Sequence, residues 1–344
     1  MENKVTVWCM VFNHEKFLRK CLDGFIMQKT NFPFEVIIHD DASTDHSADI
    51  IREYERKYPN LIKPIYEKEN QYSIGRERIG IIQLKNLTSK YFAICEGDDY
   101  WNSPDKLQKQ YDYMELHPEC SMCLHNTIIH DLSHRKSDEL FFPWKNIHKL
   151  TEDEIFFGWH VHTSSYFIRT NSYIDIPKKF LKVWCGDYVY LTYIFTKGEI
   201  VALPEVMSVY NYANPLGVTM QNCKNFTSVN MALVERKKYL YDLIKSVDEE
   251  YVPIIKKRIY ELSLEIDILL YKFKFNILSQ NQRISIRQSI TQNQYYPEWK
   301  ASQGEKTKIF SYFNYENKYI YVFIDFFDGI KKYIKNKITQ TSHT

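Results

Sequence analysis

The chain has 344 residues, of which 44% are hydrophobic, and its 45 Lys and Arg side chains nearly balance 43 Asp and Glu side chains to give a formal net charge of +2. This length suffices for one large domain with an appendage or for two domains, and the hydrophobic fraction supports a real core. The charge balance gives no support to bulk nucleic-acid binding.

The sequence shows no sign of export or of a membrane-spanning helix. Its first residues lack a basic region followed by an apolar one, and no run of about 18 uncharged apolar residues occurs. The seven cysteines are scattered and odd in number, which favours reduced thiols over a disulfide framework. We therefore expect a cytoplasmic protein.

The first 117 residues alternate between strand and helix patterns. Predicted strands cover Val5–Phe12, Glu35–His39, Leu61–Tyr66 and Tyr91–Cys95, and predicted helices cover Glu15–Lys29, Ser47–Tyr58, Ile79–Leu87 and Pro104–His117. Such alternation predicts an α/β fold built on a mostly parallel, three-layer sheet.

The pattern changes in the second half of the chain. Strands are predicted at His160–Arg169 and Glu199–Leu203, with a helix at Asp187–Thr196 between them. Eight of the ten glycines lie at or before Gly217, and the segments after it carry helix-period apolar residues without strand punctuation. We expect a domain at residues 1–224 followed by a helical appendage at residues 225–300.

The last segment, residues 301–344, is aromatic and basic. An apolar stripe at helical spacing is followed by a cluster of lysines; the stripe consists of Tyr319, Val322, Phe323, Phe326, Ile330, Tyr333 and Ile334, and the cluster of Lys331, Lys332, Lys335 and Lys337. A basic amphipathic helix of this kind can lie on the inner face of an anionic membrane as a peripheral contact. The alternative is a helix that packs its stripe on the protein, and the sequence leaves both open.

One group of cysteines and histidines superficially suggests a zinc site. It consists of Cys120, Cys123, His125, His130 and His134. The distance from the second cysteine to the first histidine is much shorter than in the usual finger, and no second CxxC follows. The spacing therefore disfavours a structural zinc ion.

The most informative motif is Glu96-Gly97-Asp98-Asp99-Tyr100-Trp101, which follows the wholly apolar strand ending at Cys95. Open α/β sheets bind ligands at the carboxyl ends of their strands, and adjacent carboxylates repel unless a cation or hydrogen-bond donors offset their charge. Mg²⁺ bridging a carboxylate to a phosphate would do so. A solvated acidic turn is the alternative.

Two further acidic sites lie where one ligand could touch them together with Asp98-Asp99. Asp40-Asp41 ends the second predicted strand, and Gly186-Asp187 precedes a predicted helix. Taken together, the chain resembles the family 2 glycosyltransferases of the GT-A fold, in particular the branch of bacterial capsule and lipopolysaccharide biosynthesis. The matching segments are residues 5–17, 35–45, 96–101 and 102–110, with looser matches at 185–188 and 209–211, so that the resemblance spans roughly residues 4–220.

The resemblance implies a role for each acidic site. The backbone of Met10, Val11 and Phe12 and the carboxylate of Asp41 would hold the nucleobase, since an ionised acceptor makes a strong hydrogen bond to a uracil-type imide. Asp98 would face the ribose or the metal, and Asp99 would coordinate Mg²⁺ or Mn²⁺ on the diphosphate. Asp187 would be the general base of an inverting displacement.

Other residues are assigned more loosely. Arg76 and Arg78 could pair with phosphate oxygens or lie on a solvated helix face. Trp159 and His162 fall where the family builds its acceptor pocket, although a large aromatic is more often part of a core. Asp41 and Asp187 could instead cap helices.

The chain departs from the branch in one place. The branch usually has an Arg and a His after the tyrosine of the late strand, whereas this chain reads Tyr210-Asn211-Tyr212-Ala213-Asn214-Pro215. The metal site is therefore expected to rely on Asp99 and water.

The sequence thus predicts a metal-dependent, inverting glycosyltransferase of the hexosyltransferase type that uses a nucleoside-diphosphate sugar, with UDP as the expected nucleotide. Its acceptor would be a glycan or lipid-linked glycan under construction, and nucleic acid is not an expected partner. The alternatives are a nucleotidyltransferase that makes nucleotide sugars, which would release pyrophosphate, and a catalytically silent module that binds nucleotide or glycan.

Overall fold

The computed structural model describes residues 3–134, 137–141, 144–157, 161–214, 217, 226–273, 278–294 and 297. These residues divide into two compact units. The first lies within residues 1–151 and 160–217, and the second within residues 152–159 and 218–344. Residues 301–344, for which the sequence predicts the basic amphipathic helix, lie outside the described part of the chain.

The first unit is built on one sheet. Its strands are β1 (Val5–Val11), β2 (Phe34–Asp40), β3 (Ile62–Tyr66), β4 (Tyr91–Ile94), β5 (Tyr100–Trp101), β6 (Cys120–Asp131), β7 (Glu139–Leu140), β8 (His148–Lys149), β9 (Phe167–Arg169) and β10 (Glu199–Tyr212). They follow the order β3-β2-β1-β4-β9-β6-β10-β5, with β7 beside β6 and β8 beside β10. The long pairings β3–β2, β2–β1, β1–β4 and β6–β10 are parallel, whereas β9 is antiparallel to both of its neighbours. The predicted mostly parallel sheet is confirmed.

Helices connect the strands of this sheet. They are α1 (Glu15–Ile26), α2 (Ser47–Lys57), α3 (Gln71–Ile74), α4 (Glu77–Asn86), α5 (Lys106–Leu116) and α7 (Gly186–Phe195). In α1, residues Leu18, Cys21, Leu22 and Phe25 are buried at helical spacing, and fully burying a Leu or Phe side chain contributes about 1.5–3 kcal/mol. Both faces of β1 are covered, because Val7 packs in the core with α1 while Trp8 on the opposite face is also buried.

Two strands differ from their predicted extents. Of the predicted strand His160–Arg169, residues 161–169 are described; they form β9 only at its end, because Thr163–Ser165 forms a short 3₁₀ helix capped by His162. Strand β10 runs on to Tyr212 although Pro204 interrupts the pattern that ended the prediction at Leu203. Shifts of register between Leu203 and Ser208 accommodate the proline, which cannot donate to a ladder.

The cysteines of the disfavoured zinc site lie on β6, where side chains alternate between the two faces of the sheet. Cys120 lies with the carboxylates of Glu119 and Glu199, a group that does not include Cys123 or His125. Cys123 is buried in the main core.

The second unit consists of helices. They are α6 (Glu152–Phe157), α8 (Phe226–Leu243), α9 (Val252–Phe273) and α10 (Gln280–Gln292), and α9 contacts the other three. A capping box at Ser279 begins α10. Arg258 is buried on α9 and donates to Glu265 Oε1 over 2.8 Å. Within the described residues, no helix has the length and hydropathy needed to cross a membrane.

Candidate active site

Three loops meet at the carboxyl ends of β1, β2 and β4. The backbone N–H of Gly97 donates to the carbonyl oxygen of Met10 over 2.9 Å, and the N–H of Asp41 donates to that of Val11, also over 2.9 Å. Because parallel strands end at one edge of the sheet, the segments Met10–Phe12, Asp40–Asp41 and Glu96–Asp99 become neighbours there. Phe12 is 42% exposed, so its ring is open to a ligand at this edge.

Three carboxylates form a cluster at this edge, which we call the acidic cluster. It consists of Glu96, Asp98 and Asp99, and oxygens of the three lie within 4.8 Å of one another. A tight turn brings them together, since the N–H of Asp99 donates to the carbonyl oxygen of Glu96 over 3.0 Å. A Cβ atom at Gly97 would lie 2.8 Å from His14 Nδ1, so this turn requires glycine.

The end of β10 orients the two aspartates. The backbone N–H of Asn211 donates to Asp99 Oδ1 over 2.8 Å, and its amide donates to the carbonyl oxygen of Asp98. Asn214 Nδ2 donates to Asp98 Oδ2 over 2.9 Å. A histidine lies beside each carboxylate, with His14 Nε2 3.9 Å from Asp98 Oδ2 and His162 Nε2 3.6 Å from Asp99 Oδ2.

The acidic cluster carries more negative charge than its surroundings offset. Burial, together with the charges of Asp98 and Glu96, raises the pKa of Asp99 well above its ordinary value. Burial and the charges of Asp98 and Asp187 raise the pKa of Glu96 to about 8. Three closely spaced carboxylates suit a hard divalent cation, which would offset this repulsion. The donor set therefore fits Mg²⁺ or Mn²⁺.

Glu96 was not among the predicted site residues. The spacing Glu-x-Asp at the end of a strand, which places two carboxylates on one turn, is the signal that could have identified it. In the sequence, Asn211 and Asn214 mark only the segment in which the expected histidine is missing. Their contacts join β10 to the acidic cluster across more than a hundred residues of sequence, which no local pattern reveals.

Asp187 lies in the first turn of α7, and its Oδ1 accepts the backbone N–H of Tyr188 over 2.9 Å. A carboxylate at this position is favoured by the helix dipole. Its charge also contributes to the raised pKa of Glu96, after burial and the charge of Asp98. The contact at Tyr188 fits the interpretation of Asp187 as a helix cap, and its role as general base stays a prediction.

Asp41 is buried, and both of its carboxylate oxygens accept backbone hydrogen bonds. Oδ1 accepts the N–H of Gln71 over 2.6 Å, and Oδ2 accepts that of Tyr72 over 3.1 Å. Asp41 therefore caps the start of α3, which fits the alternative interpretation considered for it. Each oxygen keeps a second lone pair, and the nucleobase contact stays a prediction.

The two arginines lie at the start of α4. Arg78 Nε donates to Gln71 Oε1 over 2.6 Å. Gln71 in turn donates its backbone N–H to Asp41, so Gln71 connects Arg78 with Asp41. Arg78 is exposed and Arg76 is partly exposed. Their contact with phosphate stays a prediction.

His162 is buried beside the acidic cluster and stacks on the ring of Tyr210 with 4.1 Å between centroids. The structure therefore places this residue next to Asp99, where only 6% of its side chain is exposed. Trp159, the other residue assigned to the acceptor, lies outside the described residues. The acceptor contacts of both stay predictions.

Parts of the chain are similar to known proteins. Residues 6–175 match the family model described as glycosyl transferase family 2. An uncharacterized protein of Mycobacterium tuberculosis (strain H37Rv) is 39% identical over 202 residues, which cover 58% of this chain and 56% of the relative. A poly(ribitol-phosphate) beta-glucosyltransferase of Bacillus spizizenii is 31% identical over 111 residues, which cover 32% of this chain and 17% of the relative. The chain thus spans about half the length of the mycobacterial protein.

Two solved structures share the fold. S. aureus TarS 1–349 in complex with UDP-GlcNAc is 17% identical, with a TM-score of 0.54 over 85% of this chain and 93% of that chain. The mannosyltransferase PcManGT from Pyrobaculum calidifontis, in complex with GDP-Man and Mn²⁺, is 16% identical, with a TM-score of 0.54 over 88% of this chain and 84% of that chain. The chain therefore has the GT-A fold predicted for it, and residues 6–175, the region that carries the acidic cluster, match glycosyl transferase family 2.

Proposed function

We propose that the protein transfers a sugar from a UDP-linked donor to a hydroxyl group of a growing surface glycan, with inversion at the anomeric carbon. The observation that carries this proposal is the acidic cluster at the carboxyl ends of parallel strands. Carboxylates in this position suit the binding of a diphosphate through a cation. Asp40–Asp41 and Glu96–Asp99 follow β2 and β4, the two parallel neighbours of β1, which supports a single donor site at this edge.

The nucleotide would lie between the acidic cluster and Asp41. Phe12 offers an exposed ring at this edge, and Arg78 is linked through Gln71 to the loop of Asp41. A carboxylate with a free lone pair can accept the imide N–H of uracil. The TarS complex with UDP-GlcNAc supports uracil as the base, whereas PcManGT, with GDP-Man, shows that the fold also accepts guanine nucleotides.

The acidic cluster would hold Mg²⁺ or Mn²⁺, with Glu96 joining the two aspartates. When bound, the cation would supply positive charge that stabilises the departing diphosphate. The protein residues keep the carboxylates in place, because Asn211 holds Asp99 and Asn214 holds Asp98. The GT-A neighbour with Mn²⁺ supports a divalent cation here.

Asp187 would take the proton from the acceptor hydroxyl. The hydroxyl oxygen then forms a bond to the anomeric carbon while the bond from that carbon to the diphosphate oxygen breaks, and its electron pair leaves with UDP. A single displacement inverts the configuration, so an α-linked donor would give a β-linked product. Asp187 is proposed for this role because its charge influences Glu96 although it is not a member of the acidic cluster.

A donor panel tests the proposed reaction. We expect the protein to release UDP from at least one of UDP-glucose, UDP-galactose and UDP-GlcNAc in the presence of Mn²⁺ or Mg²⁺, and EDTA to stop the release, as measured by chromatography of the nucleotides. GDP-mannose serves as the comparison donor. Turnover that persists in EDTA would contradict the metal assignment.

The same assay separates the alternatives. Pyrophosphate release from a nucleoside triphosphate and a sugar phosphate would identify a nucleotidyltransferase. Binding of UDP without turnover of any donor would identify a silent module.

The acceptor we propose is a lipid-linked glycan of the capsule or lipopolysaccharide type, which the basic segment 301–344 would help the enzyme reach at the inner membrane face. The support comes from the sequence, since this segment combines an apolar stripe with clustered lysines. We expect the full chain to float with vesicles that contain phosphatidylglycerol, and deletion of residues 317–344 to abolish this flotation. Equal flotation of both chains, or none of the full chain, would favour a helix packed on the protein.

A further inference from the structure

Asn13 joins two loops at the carboxyl edge of the sheet, residues 12–14 after β1 and residues 41–46 after β2. Its side-chain Oδ1 accepts the backbone N–H of Thr44 over 2.7 Å, the hydroxyl of Thr44 over 3.2 Å and the backbone N–H of Asp45 over 3.3 Å. One side-chain oxygen therefore serves three donors of the neighbouring loop, and its removal would take this partner from all three.

The backbone at Asn13 lies in the left-handed region, with a φ of 58°. Apart from glycine, asparagine and aspartate are the residues that adopt this conformation most readily. The position thus combines two requirements, a residue that tolerates a positive φ and a side-chain oxygen that can accept hydrogen bonds. Glycine would meet the first requirement and fail the second, whereas aspartate would meet both.

The starts of α1 and α2 are bonded to each other across the same two loops. The backbone N–H of His14 donates to Ser47 Oγ over 2.9 Å, and that of Glu15 donates to Asp45 Oδ2 over 3.0 Å. In return, Glu15 Oε2 accepts the backbone N–H of His46 over 3.0 Å. Residues at the start of each helix thus supply acceptors for N–H groups at the start of the other, which have no partner within their own helix.

Each loop begins with a residue that the proposed function places at the nucleotide. Phe12 precedes Asn13, and Asp41 begins the loop after β2. The backbone N–H of Asp41 donates to the carbonyl oxygen of Val11 over 2.9 Å, so the two loops start from one backbone hydrogen bond. Beyond that bond, the contacts of Asn13 limit how far the loops, and with them Phe12 and Asp41, can separate.

We propose that Asn13 is a positioning residue for the nucleotide, which acts by holding the loop of Phe12 against the loop of Asp41. This inference rests on the proposed function. Loops that are already held in their binding arrangement lose less conformational freedom when a ligand binds, and the ligand therefore binds more tightly. The expected contribution of the Asn13 oxygen is about 10-fold in nucleotide affinity, the effect of roughly one net hydrogen bond.

Two substitutions test the side-chain oxygen. We expect Asn13→Gly to raise the Kd for UDP by about 10-fold at saturating Mn²⁺, measured by calorimetric titration, because glycine keeps the backbone conformation and removes the oxygen. Asn13→Asp should keep most of the affinity, because it retains an oxygen at the same place. Asn60→Gly, in an exposed turn of the same unit, is the matched control and should bind UDP as the unaltered chain does.

A second ligand separates positioning of the nucleotide from a role in stability alone. UMP carries the same base and ribose as UDP but one phosphate fewer, so Asn13→Gly should weaken UMP and UDP by the same factor. The titrations are made well below the melting temperature of each variant. A lower melting temperature with unchanged affinity for both nucleotides would overturn the proposal, as would a loss in Asn13→Asp as large as in Asn13→Gly.

A measurement on the unaltered chain covers the case in which Asn13→Gly does not fold. Without nucleotide, the backbone amides of Thr44 and Asp45 should be protected from hydrogen exchange by their bonds to Asn13, and unprotected exchange of both would overturn the proposal. Failure of the unaltered chain to bind UDP or UMP would refute the nucleotide site of the proposed function. Normal binding by the unaltered chain together with an insensitive Asn13→Gly variant would refute this inference alone.

Discussion

Replacing Asp99 with asparagine should lower kcat/KM for the donor by about 10³-fold, which corresponds to roughly 4 kcal/mol of transition-state stabilisation. The substitution keeps the shape of the side chain and its acceptor for the Asn211 N–H, but removes the charge that would hold the cation. Initial rates of UDP release at saturating Mn²⁺ measure the effect.

Thermal melts of the same variant show whether the loss comes from unfolding. Burial and neighbouring charges raise the pKa of Asp99, which means that its negative charge is unfavourable in the folded protein. In the absence of metal, Asp99→Asn should therefore not lower the melting temperature. The rise in melting temperature that Mn²⁺ produces in the unaltered chain should disappear in the variant. Asp112→Asn, an exposed neutralisation on α5, is the control and should behave as the unaltered chain does. Retention of both turnover and the Mn²⁺ effect in Asp99→Asn would remove Asp99 from the metal site.

Replacing Asp187 with asparagine should lower kcat by about 10²- to 10⁴-fold while the affinity for UDP and Mn²⁺ stays unchanged. Asparagine is also a good residue at a helix N-terminus, so the start of α7 should be preserved. The variant loses the negative charge of the carboxylate and with it the ability to accept a proton. Rates of transfer and calorimetric titration with UDP and Mn²⁺ separate the two effects.

The helix-cap interpretation of Asp187 makes the opposite prediction. If the carboxylate serves only the start of α7, transfer by Asp187→Asn should equal that of the unaltered chain. Asp175→Asn provides the matched control, because Asp175 is an exposed acidic residue of the same unit. A parallel loss of UDP affinity would instead assign Asp187 to donor binding.

The residues that could be predicted from the sequence are those whose environment is local. The continuous apolar pattern of β1 and the helical spacing in α1 are properties of neighbouring residues, so the alternation of strands and helices followed directly. The family resemblance then identified Asp41, Asp98, Asp99 and Asp187 by motif. The predicted end of β10 was less accurate. A proline usually ends a strand, but β10 continues past Pro204 because shifts of register accommodate it.

The sequence by itself determined that this chain forms a mostly parallel α/β sheet with acidic motifs at strand ends, since periodicity and motif order depend on adjacent residues. Only the tertiary structure decided how those motifs meet. It joined Asn211 and Asn214 to the aspartates, added Glu96 to the acidic cluster, and placed His162 next to Asp99. These contacts join segments that are far apart in the chain, so no local pattern in the sequence reveals them. Burial, which raises the pKa values of the carboxyl groups in the acidic cluster through desolvation, also exists only in the folded protein.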